Sequence, residues 1–341
     1  MAKLTVDHRL SIAPMMGITD RHFRYLMRLI SKKVVLYSEM IHARSLVYGN
    51  VEKLLRFHPL EKPVVLQLGG DEVDELCRAA ELGEKWGYDE INLNCGCPSP
   101  RVQAGCFGIM LMHTPKKTGQ LIRQLRKATS LPLTVKHRLG SSERHGYEFL
   151  SNFAEEMLKA GAQRLIVHAR LAFLGNVSPK KNREVPPLDY EQVYRLKEDF
   201  PEANIHLNGG VKTYEEISFH LRYVDGVMIG RLAAQNPYFF HEADFRIFSM
   251  PVKPKLRREI LREYLRYALH EYELTNENPR TLLKPLLVLW HGVPHARLFR
   301  RMASENIKRA SFQEICHALE QKANDMESAE EISLHPNVRL Q

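Results

Sequence analysis

Short apolar runs of strand length recur along the first two thirds of the chain, and segments with a helical period separate most of them. The eight runs are "LSIAP" (10–14), "VVLYSEM" (34–40), "PVVLQLGG" (63–70), "DEINLNCG" (89–96), "LPLTVKHRLG" (131–140), "RLIVHAR" (164–170), "NIHLNGG" (204–210) and "DGVMIGR" (225–231). Helices are predicted between them at 19–30, 72–87, 114–129, 146–161, 189–200 and 213–222. The links after the second and eighth runs are less clearly helical. Eight strand-led units in about 240 residues match the size of an α/β protein of the (β/α)8 TIM-barrel type.

A doubly wound open sheet is the alternative fold for this pattern. That fold usually carries a G-x-G-x-x-G fingerprint after its first strand, and "APMMGITD" does not match it. We therefore expect a barrel over residues 1–245. Beyond it the strand pattern stops, and helices are predicted at 255–274, 280–292, 296–310 and 312–323. These helices indicate a C-terminal all-helical bundle domain over 246–325, followed by a loose tail over 326–341.

Charge and cysteine content indicate the partners and the compartment. The net charge is +9, and residues 252–310 alone hold 13 Lys and Arg against 6 Glu. This segment favours a polyanion such as nucleic acid, although a solvated helical surface would show the same pattern. Five cysteines fit free thiols in a reducing cytosol. Because no apolar run approaches the roughly 20 residues that span a bilayer, we expect a soluble cytoplasmic protein without a membrane partner.

The active site of a TIM barrel lies at the carboxyl ends of its strands, so polar residues there are candidates for chemistry. The "NGG" at 208–210 and the pair Gly230 and Arg231 follow strands seven and eight, where barrels commonly bind a phosphate. Lys136 points inward from strand five, and a buried ammonium group calls for an anion, such as a cofactor ring that becomes anionic on reduction. The amides of Gln67 and Asn94 would suit hydrogen bonds to a planar heterocycle, but for each of them an ordinary polar residue at a barrel mouth is equally expected.

The stretch "INLNCGCPSPRVQAGCFGIML" (91–111) holds three of the five cysteines. Cys95 and Cys97 are too close in sequence for the usual zinc pair, so no metal site is predicted. Gly96 and Pro98 indicate that the strand ends there, which places Cys97 at the start of a loop over the mouth. Cys106 lies farther along that loop and is interpreted as a loop residue without a chemical role.

At this point the chain resembles the flavin-dependent tRNA-dihydrouridine synthases over about residues 10–325. The motifs that carry the resemblance are, in order, "APMMGITDRHFR", "LQLGG", "INLNCGCPSPRVQAGCFGIMLM", "VKHRLG", "VHAR", "LNGGV" and "DGVMIGRLAAQNP". The loop "HARLAFLGNVSPKKNREVPPLDY" is typical of the bacterial A-type enzymes, which act on nucleotides 20 and 20a of the tRNA D-loop. The chain departs from the family pattern at Cys95, where an apolar residue is usual.

The resemblance implies a TIM barrel that holds FMN and a helical domain that binds tRNA. The implied FMN contacts are Pro14, Met15, Met16, Gln67, Lys136, His168, Asn208, Gly209, Gly210, Gly230 and Arg231. The implied tRNA contacts are Asn94, Lys180, Arg183, Arg297 and Arg300. NADPH would reduce FMN, flavin N5 would then pass a hydride to uracil C6, and the thiol of Cys97 would protonate C5. An ordinary thiol is mainly protonated at pH 7, so this acid needs no activating base.

Two rival functions stay open at this level. One is a flavin barrel that reduces a small molecule, such as a dihydroorotate or enoate reductase, which would leave the basic helical segment without a purpose. The other is a phosphate-binding or tRNA-binding barrel without redox chemistry. We expect the function of the A-type enzymes, carried out by a monomer without an obligate protein partner.

Overall fold

The computed structural model describes residues 6–175, 177–178, 181–305 and 310–334, without the side chains of 305 and 327–334. This part contains the strands β1 (Leu10–Ile12), β2 (Leu36–His42), β3 (Val64–Gly69), β4 (Glu90–Cys95), β5 (Leu133–Arg138), β6 (Arg164–His168), β7 (Ile205–Asn208) and β8 (Gly226–Ile229). Each strand overlaps one of the eight apolar runs, so all eight predicted strands are confirmed.

The strands form one parallel sheet in which β2 to β8 pair in sequence order and β8 pairs with β1. A parallel bridge between Ser11 and Val35 links β1 to the start of β2. There the Ile12 N–H donates to the Val35 carbonyl at 2.9 Å, and the Val35 N–H donates to the Leu10 carbonyl at 3.1 Å. A parallel sheet joined in a ring, with helices between its strands, is the predicted TIM barrel.

Helices follow the strands in regular alternation. They are α1 (Arg21–Ile30) after β1, α2 (Ala43–Tyr48) and α3 (Val51–Leu55) after β2, α4 (Val73–Lys85) after β3, α5 (Pro100–Ala104), α6 (Ile109–Met112) and α7 (Pro115–Ala128) after β4, α8 (Tyr147–Lys159) after β5, α9 (Lys181–Glu184) and α10 (Glu191–Asp199) after β6, and α11 (Tyr214–His220) after β7. A 3-10 helix, Pro59–Glu61, precedes β3. The six helices predicted between strands are confirmed as α1, α4, α7, α8, α10 and α11.

Apolar side chains fill the barrel interior and the layer between strands and helices. One buried interior cluster consists of Ala13, Val35, Tyr37, Val65, Ile166 and Met228. Alternate strand residues face the helices, because successive side chains on a strand point to opposite faces. A Cβ added at Gly83 of α4 would lie only 2.6 Å from Leu66 and 2.9 Å from Ile91, so α4 packs closely on β3 and β4.

The described residues divide into two compact units. The barrel unit comprises the residues up to Arg21 and Val34–Gly230, and the helical unit comprises His22–Lys33 and the residues from Arg231 onward. This division lies nearer to the end of β8 than to the predicted boundary at residue 245. It also assigns most of α1 to the helical unit, which the order of elements in the sequence did not indicate.

The helical unit is built around the C-terminal helices and α1. Its further elements are α12 (Arg231–Gln235), a 3-10 helix (Pro237–Glu242), α13 (Ala243–Arg246), α14 (Arg257–Thr275), α15 (Pro279–Leu283), a 3-10 helix (Lys284–Val288), α16 (Ala296–Glu305) and α17 (Phe312–Leu334). The buried Asp244 carboxylate accepts hydrogen bonds from the Ser31 hydroxyl at 2.6 Å and the Lys32 N–H at 2.7 Å. Tyr25 of α1 stacks on Tyr267 of α14 with ring centroids 3.7 Å apart. These contacts explain why α1 groups with the C-terminal helices.

Two details of the C-terminal prediction need correction. The helix expected at 280–292 is α15 followed by a 3-10 helix, because Pro285 has no N–H with which to continue an α-helix. Residues 326–334, expected in a loose tail, belong to α17. Ala323 and Met326 are buried one turn apart, so the apolar period continues past the predicted end. Residues 335–341 lie outside the described residues. Within the described part, no helix is long and apolar enough to cross a bilayer.

Candidate active site

A chain of amide hydrogen bonds crosses the barrel interior between β3, β4 and β5. The Asn94 amide donates to the Gln67 carbonyl oxygen at 2.9 Å, and the Gln67 amide donates to Asn92 at 2.7 Å. The Asn92 amide in turn donates to the Thr134 hydroxyl at 2.9 Å. All four side chains are buried. The structure thus brings the predicted residues Gln67 and Asn94 together and holds each amide in one orientation.

Asn94 also fixes the start of the loop after β4. Its Oδ1 accepts hydrogen bonds from the Gly96 N–H at 3.1 Å and the Cys97 N–H at 2.9 Å. The Cys97 carbonyl accepts from the Ile109 N–H at 3.1 Å, which anchors the far end of the loop. Because β4 ends at Cys95, Cys97 begins the loop as predicted, with a half-buried side chain.

The cysteines near this loop lie in different environments. Cys95 is fully buried and alternates with Asn94 on β4, so its side chain faces away from the barrel interior. Burial raises the pKa of the Cys95 thiol, and Cys95 therefore resembles the apolar residue usual at this position. Cys106 is exposed, with a φ of 56°. All five cysteines lie within the described residues as free thiols, and no group of three His, Cys, Asp or Glu there is arranged for a metal ion.

Lys136 extends from β5 toward Asn208 on β7. Its Nζ donates to Asn208 Oδ1 at 3.1 Å, and the Asn208 amide donates to the Met228 carbonyl at 2.7 Å. The pKa of Lys136 is lowered to about 7: burial is the main cause, the nearby Arg138 adds to the shift, and the thiolate form of Cys97 opposes it. The ammonium form is thus disfavoured by its surroundings, and an anion placed beside it would stabilise it.

The glycines after β7 let neighbouring side chains pack closely against the loop at the barrel mouth. Gly209 and Gly210 have φ values of 125° and 79°, which favour glycine. A Cβ at Gly209 would lie 2.9 Å from the His168 ring, and one at Gly210 would lie 2.5 Å from Leu188 and 2.6 Å from the Tyr190 hydroxyl. The Tyr190 hydroxyl donates to the Gly209 carbonyl at 2.8 Å. The Tyr190 hydroxyl therefore holds the predicted phosphate loop, and the His168 ring packs against Gly209 of that loop.

Five predicted cofactor contacts follow β1 and β8, which are adjacent strands. Pro14 and Met15 are half-buried, whereas the Met16 side chain is 67% exposed. A Cβ added at Gly230 would lie 3.5 Å from the Met15 sulfur, so these two residues are neighbours. Arg231 is the exposed first residue of α12 and belongs to the helical unit.

Arg138 is a site residue to which the sequence assigned no function. Its buried guanidinium donates to the Gly96 carbonyl at 3.0 Å, the Leu171 carbonyl at 2.8 Å and the Asn182 carbonyl at 3.1 Å. It therefore links the loop after β4 to the loop after β6. Its spacing of two from Lys136, which puts both on one face of β5, was the signal that would have identified it.

The predicted tRNA contacts are distributed over both units. Asn94 is buried at the barrel mouth, and Arg183 is exposed on α9 in the loop after β6. Arg297 and Arg300 are exposed on α16 and, three residues apart, share one helix face. Lys180 lies outside the described residues.

Comparison with known proteins identifies close relatives. The family model "Dihydrouridine synthase (Dus)" matches residues 11–326. Proteins named tRNA-dihydrouridine(20/20a) synthase are similar: that of Synechocystis sp. is 46% identical, over 91% of this chain and 94% of the relative. The relative from Xanthomonas axonopodis pv. citri is 44% identical, over 88% of this chain and 89% of the relative. The relative from Vibrio cholerae is 43% identical, over 89% of this chain and 92% of the relative. A solved 2-naphthoyl-CoA reductase complex matches with a TM-score of 0.53 at 11% identity, over 70% of this chain and 50% of that chain, and supports the fold alone.

Proposed function

The chain belongs to the dihydrouridine synthase family, and from this premise we propose that it reduces uridine to 5,6-dihydrouridine at nucleotides 20 and 20a of the tRNA D-loop. Relatives that carry this name match about nine tenths of the chain. The observation that carries the proposal is the position of Cys97, whose backbone N–H donates to Asn94 at 2.9 Å and whose half-buried side chain lies at the barrel mouth, near Lys136. We further propose a cytoplasmic enzyme that uses FMN and NADPH.

The residues at the mouth fit FMN. Gly209 and Gly210 follow β7 with φ values that favour glycine, the backbone N–H groups of this loop would bind the phosphate, and the Tyr190 hydroxyl holds the Gly209 carbonyl. Lys136, whose Nζ donates to the neutral amide of Asn208, would bind the electron-rich part of the ring system. Gln67 and Met15 would complete the pocket.

When bound, FMN reduced by NADPH supplies the hydride for uracil C6. Cys97 donates the proton to C5, and Asn94 holds the Cys97 backbone so that the thiol stays at the mouth. The thiolate that remains lies near the cations of Lys136 and Arg138, which stabilise it. Cys95 is a poor substitute, because its thiol is buried on the opposite face of β4.

A uridine in folded tRNA must leave its stack before its C5 and C6 reach the barrel mouth, which costs a few kcal/mol. Contacts with phosphates can offset this cost, and they make binding dependent on salt. We assign these contacts to Lys180 and Arg183 after β6 and to Arg297 and Arg300 on α16.

The test uses purified protein, NADPH and an unmodified tRNA transcript. We expect a yellow protein with flavin absorbance, and dihydrouridine at positions 20 and 20a when the product is mapped. A transcript with cytidine at both positions is the matched control. A colourless protein, or equal reduction of free uridine or dihydroorotate without tRNA, would reject the assignment in favour of a rival function.

A further inference from the structure

Gln103 of α5 connects two loops at the carboxyl ends of the strands. Its Oε1 accepts a hydrogen bond from the Gly175 N–H at 3.1 Å, and its Nε2 lies 3.5 Å from the Gly175 carbonyl oxygen. The same Nε2 donates to the Pro98 carbonyl at 2.7 Å. One half-buried amide therefore pairs with the backbone of the loop after β6 and also holds the residue that follows Cys97.

The two loops carry different parts of the proposed site. The loop after β4 begins with Cys97, and the segment after β6 leads from Gly175 to Arg183 on α9. Arg138 makes a second connection between them, because it donates to both the Gly96 and the Asn182 carbonyls. Arg138 is buried at the base of the loops, whereas Gln103 joins them farther from the strands. The hydrogen bonds between Gln103 and Gly175 are exposed, whereas the bond from Arg138 to the Asn182 carbonyl is buried.

We propose that Gln103 is a positioning residue that holds the proton-donor loop in register with the RNA-contact loop. This inference rests on the proposed function. A uracil held through its tRNA by one loop must present C5 to a thiol carried by the other, so a fixed spacing between the loops aligns donor and acceptor. A displacement on the order of 1 Å in such an arrangement can cost a hundredfold in rate. Glutamine suits the position because its amide donates and accepts at once, which neither glutamate nor alanine can do.

The first experiment compares Gln103→Ala with the wild-type holoenzyme in two half-reactions. We expect flavin reduction by NADPH to keep its rate, because no part of that step uses the loop connection. We expect oxidation of the reduced flavin at saturating tRNA to slow by about tenfold. Gln120→Ala, which truncates an exposed glutamine on α7, is the matched control and should leave both rates unchanged.

A second measurement needs no catalysis. Cys97 is half-buried at the start of the loop, so release of the loop should raise its rate of alkylation by iodoacetamide severalfold in Gln103→Ala, as followed by mass spectrometry without tRNA. The buried Cys316 reports global unfolding and should keep its wild-type rate. Faster labelling of both cysteines, with a lower melting temperature, would mean a general structural role and overturn the proposal.

Gly175→Ala tests the same connection from its other side. Gly175 has a φ of 78°, and an added Cβ there meets no atom of the described residues within 4 Å, so we expect the substitution to act through backbone strain. Because both changes break one connection, the double variant should be no slower than the slower single variant. Additive effects, or a wild-type rate with tRNA in Gln103→Ala, would overturn the proposal. If the wild-type enzyme does not reduce tRNA, the proposed function fails, and Cys97 labelling still decides whether Gln103 holds the loop.

Discussion

The two ends of the barrel satisfy their buried charged groups differently. At the amino-terminal ends of the strands, the Glu90 carboxylate accepts from Arg164 at 2.6 Å and from the Thr134 hydroxyl at 2.6 Å. Burial alone would raise the pKa of Glu90, but Arg164 and His8 lower it, and the net shift is downward. At the carboxyl ends, the Lys136 ammonium donates to the neutral amide of Asn208 instead.

This difference distinguishes a structural polar cluster from the one that we propose to be functional. Glu90 and Arg164 neutralise each other inside the protein, and so their charges offer nothing to a ligand. Lys136 bonds to a neutral amide, and its pKa is lowered by burial, so a bound anion gains the full benefit of its charge. Position along the strands, rather than residue type, decides which end is chemical.

The largest effect is expected from the thiol at the carboxyl end. Cys97→Ala should slow tRNA reduction by about two to four orders of magnitude, because it removes the general acid. NADPH oxidation by the flavin should be nearly unchanged. Cys95→Ala changes a buried thiol at the end of β4 that faces away from the barrel interior; it is the matched control and should retain most activity. A similar loss in both variants would contradict the assignment of the proton donor to Cys97.

A large effect on stability is expected at the amino-terminal end. Glu90→Gln leaves the Arg164 guanidinium buried without its carboxylate, which should lower the free energy of unfolding by about 3–5 kcal/mol. Urea denaturation measures this loss. Adding Arg164→Met to Glu90→Gln should recover much of it, since the unpaired charge is removed. If Glu90→Gln is as stable as the wild type, the ion pair is not the structural element that we describe.

The same end of the barrel should make stability depend on pH. Burial lowers the pKa of His8 from 6.5 to about 4, and it lowers that of His206 further, with Arg164 and His8 adding to the shift. At neutral pH His8 is therefore uncharged, and its 3.5 Å contact with Glu90 is not an ion pair. As pH falls below about 6.5, the unfolded chain binds protons that these histidines cannot, so stability falls until about pH 4.

For His8 alone this loss amounts to about 3 kcal/mol. Urea denaturation at pH 7.5, 6 and 5 would measure it, and His8→Gln should flatten the profile. Constant stability over this range would show that the buried histidines are protonated in the folded protein.

At Lys136 we expect a smaller effect, which falls on FMN binding and not on stability. Lys136→Met should weaken FMN binding by roughly ten- to hundredfold, because it removes one charged hydrogen bond to the ligand. It should leave the stability of the protein without FMN unchanged or slightly higher, since an unfavourable buried cation is lost. Fluorescence titration with FMN and urea denaturation measure the two quantities. Loss of stability without loss of FMN affinity would make Lys136 a structural residue like Arg164.

Much of the barrel could be predicted because the apolar runs that mark its strands are local features of the sequence. Every strand from β1 to β8 coincided with an apolar run, and Cys97 was placed at the start of its loop by Gly96 and Pro98 alone. Family motifs supplied the residues of the proposed site. The helix predicted at 280–292 was broken by Pro285, and the loose tail was wrong up to Leu334, because burial of Met326 depends on which helices pack against α17.

The sequence by itself determined which segments are strands and which cysteine begins the loop, and it indicated the strand ends at which we propose the active site. Only the tertiary structure decided the connections across loops. Gln103 meets Gly175 across 72 residues, and Arg138 meets Asn182 across 44. It also decided that α1 packs with the C-terminal helices. Apolar periodicity is a property of neighbouring residues, whereas a hydrogen bond between distant loops depends on where the closed sheet brings their backbones, and no local pattern encodes that.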